Sequence, residues 1–105
     1  MPTPTLTGAP INFTASGLGT AIAAPAQGRI QIWRLFLVAA GPVTIQIFDG
    51  ATGLGQMQLA AGIPLFLRAM TDQPSIRFST GNAFQINSSA ATQVGGFCHY
   101  NISNT

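Results

Sequence analysis

Arg29–Gly50, RIQIWRLFLVAAGPVTIQIFDG, decides the fold. Two apolar runs rich in β-branched and aromatic residues flank Ala39-Ala40-Gly41-Pro42, where Gly and Pro mark a turn. In the second run Val43, Ile45 and Ile47 fall on one face, with Thr44, Gln46 and Phe48 on the other. That is the period of a strand with one buried side. In the first run Ile30 and Ile32 share a face, but Leu35 and Leu37 are out of phase with them. A bulge near Trp33-Arg34 restores a single inward face, because one extra residue flips the parity of everything after it. A strand buried on both faces is the other reading. With the bulge, Arg34 points to solvent or to a neighbouring subunit. Either way the stretch predicts a β-hairpin in the middle of a sheet.

Working outward, the alternation recurs. Strands are expected over 11–16, 20–24, 56–60, 63–68, 75–80, 83–87 and 93–103, separated by Gly, Pro, Asn and Asp. Asp49-Gly50 and Thr52–Gly55 read as a loop, and Gly81-Asn82 as a tight two-residue turn. Gly95-Gly96 inside the last strand predicts a bulge or a close backbone approach. In that strand Cys98, Tyr100 and Ile102 face one way and Phe97, His99 and Asn101 the other. Pro2, Pro4 and Pro10 fix an extended path over residues 1–10, either a free tail or an arm lying across a neighbour. No helical period occurs. The expectation is all-β: a 1–10 arm, then a single antiparallel β-sandwich or barrel of about eight short strands over 11–105.

Composition narrows the class. Of 105 residues only six carry formal charge: Arg29, Arg34, Arg68, Arg77, Asp49 and Asp72. A typical domain carries about a quarter of its residues charged. Ser, Thr, Asn and Gln supply 30 positions and therefore the polar surface. So few like charges do little to keep copies apart, which suits a permanent assembly. The net charge of +2, with four arginines strung between Arg29 and Arg77, forms no stripe and predicts no nucleic-acid partner. No secretory signal is expected, since no Lys or Arg precedes Arg29 and no compact apolar block is present. The uncharged stretch from Leu35 to Phe48 is too short to span a membrane, and Gly41-Pro42 interrupts it. With one Cys there is no internal disulfide, so packing alone must hold the fold.

The chain is poor in reactive chemistry. Cys98 and His99 are adjacent, so on a strand they point to opposite faces and cannot pair as nucleophile and base. Asp49 and Asp72 both sit in turn sequences, where Asp caps local backbone. One Cys, one His and two Asp lack the spacing of a zinc site. Gly53-x-Gly55 is too short for a phosphate loop. Met57 and Met70 read as core filler. No enzyme, cofactor or metal is expected. Candidate contacts are instead Pro2, Pro4 and Leu6 of the arm, Trp33 and Arg34 at the bulge, and the outward Phe48, Phe97 and His99. An exposed aromatic on a strand calls for cover.

Five segments in order, GRIQIWRLFLVAAG, VTIQIFDG, MQLAAG, FSTGNAFQIN and ATQVGGFCHY, span Gly28 to Tyr100. This order resembles the small head-decoration, or cement, proteins of tailed bacteriophages. The resemblance implies a jelly-roll-like sandwich, usually a homotrimer, made in the host cytoplasm and standing on the capsid surface. There it would bind the major capsid protein and stabilise the head. No catalytic residue is carried over. The alternative is the head domain of a phage fibre or tail appendage that binds a host receptor.

Overall fold

The computed structural model describes residues 5–68 and 73–104. Pro2, Pro4, Met70 and Asp72 lie outside the described residues, as does the first half of the Thr71–Pro74 stretch. Nine strands are described: β1 (Thr7–Phe13), β2 (Gly17–Ile22), β3 (Arg29–Ala39), β4 (Val43–Asp49), β5 (Thr52–Leu59), β6 (Leu65–Arg68), β7 (Ile76–Arg77), β8 (Phe84–Ser88) and β9 (Val94–Ser103). They form two antiparallel sheets. The first runs β1-β9-β3-β6, with β7 also paired to β3, and the second runs β2-β8-β4-β5. The chain passes repeatedly from one sheet to the other, and among the described strands only β4 and β5 form a hairpin of consecutive strands. This double Greek-key order is that of a jelly roll, so the fold is the expected sandwich.

The bulge is where the sequence puts it. The β3–β9 register slips between Ile32 and Arg34, and Ile30, Ile32, Leu35 and Leu37 all become fully buried on one inner face. Ile45, Phe78, Phe84, Ile86, Val94 and Cys98 fill the same core. Trp33, the extra residue, folds down against its own chain. Its Nε1–H donates to Asn101 Oδ1 at 2.7 Å, and Ser75 Oγ–H donates to its carbonyl at 3.1 Å.

The expected central hairpin is not formed. β3 lies in the first sheet and β4 in the second, so residues 40–42 cross the sandwich. Two-residue hairpin turns need positive φ, and Gly41 is not among the glycines with positive φ. Pro42 fixes its own φ near −65° and offers no N–H. The tight reversal comes one strand later, at Gly50 (φ +63°), and joins β4 to β5. Residues 52–55, read as loop, therefore belong to β5, where Gly55 pairs Ile47 and Thr52 pairs Asp49.

Gly81-Asn82 does turn the chain, with Asn82 N–H donating to Ser79 O at 3.1 Å, but it also links different sheets. The strand before it is only β7, because the backbone N–H of Ser79 goes to the Asp49 carboxylate rather than to a ladder. At the N-terminus, residues 7–10 of the expected arm are part of β1, with Pro10 opposite Phe97. An edge strand accommodates the proline, which has no N–H to give. The sandwich thus begins at Thr7 rather than Ile11.

Candidate docking face

The antiparallel registers set the outer face of the first sheet row by row. Phe66, Phe36, Phe97 and Pro10 lie directly across from one another on β6, β3, β9 and β1. The next row is Arg68, Arg34, His99 and Gly8. Beyond it Gln31 lies between Arg77 on β7 and Asn101 on β9, and Arg29 opposes Ser103. All four arginines of the chain therefore share one outer face, although 49 positions separate the first from the last inclusively. The expectation of no basic patch is corrected: strands distant in sequence are neighbours in the sheet.

The aromatic row is open to solvent. Phe66 is 51% exposed and Phe97 40%. Phe36 and Phe97 stack with centroids 5.4 Å apart, while Phe66 meets Phe36 edge-on at 6.0 Å. The His99 ring stands edge-on to Phe97 at 5.4 Å, and its buried Nδ1 has no hydrogen-bond partner among the described residues. Arg34 lies directly opposite Arg68, a like-charge pair that works against the sheet. Among the described residues neither guanidinium has a carboxylate partner.

The opposite outer face differs in chemistry. β2, β8, β4 and β5 present Leu18, Thr20, Gln85, Asn87, Thr44, Gln46 and Gln56, a neutral, amide-rich surface. Phe48, half-buried, stands there and not with Phe97. The expected contact residues thus divide. Arg34, Phe97 and His99 share the first face, Phe48 is on the second, Trp33 is buried, and Leu6 is half-buried just ahead of β1. Phe36, Phe66, Arg68 and Arg77 were not singled out in the sequence. Their signal was present, since Phe36 and Phe66 each fall between inward leucines, but nothing local says that those two strands adjoin.

No known protein family, characterised protein or solved structure matches this chain. Its chemistry is therefore read from its own groups. No three of His, Cys, Asp and Glu come together among the described residues. Asp49, the one buried carboxylate among the described residues, accepts hydrogen bonds from Ser79 N–H, Ser79 Oγ–H (2.8 Å) and Asn82 Nδ2–H (3.0 Å). It caps a turn, as an Asp before Gly suggested, but that turn is the one at Ser79–Asn82.

Cys98 lies on the inner face of β9, fully buried. Burial pushes its thiol from the usual 9.0 up to about 11. A thiol that is both protonated and enclosed is inert. Ellman's reagent is expected to leave the folded protein untouched and to titrate one thiol in denaturant. The folded state also holds this proton more tightly than the unfolded state. The associated stability is complete below pH 9 and is lost as pH rises through about 11. In Cys98→Val, the thiol-linked part of the urea-midpoint decline over that window should vanish; an unchanged decline would show that the thiol does not contribute.

Proposed function

We propose that this chain is a non-enzymatic structural protein of a phage virion, a trimeric decoration protein that binds the outside of the head and stabilises it. The observation that carries this reading is the solvent-open Phe66–Phe36–Phe97 row on the outer face of a jelly-roll sheet. Such a row is stabilised when a partner removes it from water, at about 25 cal/mol per Å² of apolar area covered. The second, amide-rich face supports contacts between copies, since neutral polar side chains neither repel nor demand counterions. A ligand that binds only the assembled shell stabilises that shell by mass action, and three linked copies act at high effective concentration. The resemblance of Gly28 to Tyr100 to cement proteins points the same way.

The test is add-back to heads that lack the protein. Purified chain is expected to run as a trimer in light scattering, to co-sediment with heads, and to raise their disruption temperature. A monomer at micromolar concentration that ignores heads would overturn the reading. A chain that binds host cells and not heads would place it on a fibre or tail appendage.

A further inference from the structure

We infer that the outer face of the first sheet docks an acidic, apolar protein segment, one that sets carboxylates beside aliphatic or aromatic side chains. On the proposed role this segment belongs to the shell protein; the chemistry of the face itself does not depend on that role. The charge asymmetry selects the partner's sign. Arg29, Arg34, Arg68 and Arg77 all stand on this face, three of them exposed. A second copy is a poor occupant. It carries four arginines against two carboxylates, and one of those, Asp49, is buried and engaged by Ser79 and Asn82. Face-to-face pairing of two copies would therefore bring guanidinium against guanidinium, an arrangement that disfavours self-association through this surface.

Ring geometry favours a protein over a nucleic acid or a sugar. Nucleobases and sugars stack on an open aromatic face. Here Phe36 and Phe97 stack on each other with planes only 13° apart, so one flank of each is taken, while Phe66 stands nearly perpendicular to Phe36 and is open to solvent. A row of closely set rings fits between apolar side chains, and the adjacent Arg34–Arg68 row then meets carboxylates. Directed ionic contacts of this kind set orientation and on-rate as well as affinity. So few charges in the whole chain would suggest weak dependence on salt; the collection of its four arginines on one face predicts the opposite for this contact.

The experiment is a titration of isotope-labelled full chain, followed by amide chemical shifts, with three octapeptides and a thymidine oligonucleotide. The first peptide alternates Glu and Leu, the second replaces Glu by Gln, and the third replaces Leu by Ser. The Glu/Leu peptide is expected to move signals of β3, β6 and β9 and to bind about tenfold tighter than either of the others. Raising salt should weaken it. Arg34→Gln and Phe97→Ser, both on the outer face and checked for wild-type near-UV spectra, should each lose about tenfold. Equal binding of the Gln peptide, tighter binding of the oligonucleotide, or self-association abolished by Phe97→Ser would overturn the inference. Add-back to heads keeps the two readings apart. If both variants bind heads like the wild type, the docking face is wrong and the shell role stands. If the wild type takes the Glu/Leu peptide but ignores heads, the face stands and the shell role falls.

Discussion

Gly96→Ala is expected to leave the chain barely folded. Gly96 sits at φ +153° opposite Leu37 in the β3–β9 ladder. A Cβ there would fall onto the backbone carbonyl of Phe36. The obstacle is main chain, so no side chain can swing aside, and the strands must separate where Phe36 and Phe97 stack. An unfavourable φ costs about 1–3 kcal/mol, and overpacking costs a similar amount. Together they remove about 4 kcal/mol from a domain whose whole stability is of order 5–15 kcal/mol. The neighbouring Gly95→Ala is the control. Its added carbon would meet only Ile11 O, at an ordinary 3.7 Å, so it should lose no more than about 1 kcal/mol. Urea unfolding of the two variants measures the contrast. Equal losses would mean that Gly96 is not held against β3.

Asp49→Ala should be nearly as damaging although it deletes no core side chain. Asp49 ends β4 in the second sheet, and its carboxylate holds the turn that follows β7 of the first sheet. Ser79 N–H reaches both its oxygens, at 3.1 and 3.0 Å, while Ser79 Oγ–H and Asn82 Nδ2–H complete the set. One short side chain thereby ties the sheets together at one end of the sandwich. Hydrogen bonds to an ionised acceptor contribute about 1.5–3 kcal/mol, and donors left without a partner add to the loss. A decrease of about 3 kcal/mol is expected. For a domain near this size that lowers the melting temperature by roughly 10–20 °C. Asp49→Asn retains one acceptor oxygen and should lose about half as much. If Asp49→Ala melts with the wild type, the clamp does not hold in solution.

The docking face carries a smaller effect of opposite sign on the fold. Arg34 opposite Arg68 is a cost that the isolated chain gains nothing from. Arg34→Gln, which weakens peptide binding, should therefore slightly raise stability, by a few tenths of a kcal/mol.

What the sequence determined by itself is local and periodic. Alternation named the inner side chains of β4, and the parity break between Ile32 and Leu35 called for the bulge that the β3–β9 register shows. The pair Gly95-Gly96 announced a bulge or a close approach, and Gly96 makes the approach. These follow because side-chain direction has a period of two and depends only on neighbours along the chain. Partnership between strands has no such local record. A run such as Val43–Ile47 states that one side is buried, not which strand lies beside it. The hairpin expected across Gly41-Pro42 therefore became a crossing between sheets, set by backbone angles at the turn. Only the tertiary structure brought Asp49 to Ser79, thirty residues on, and set Arg29, Arg34, Arg68 and Arg77 on the same face as one row of phenylalanines. The jelly-roll order makes β3 the common neighbour of β6, β7 and β9, and that adjacency turns scattered charges into a face.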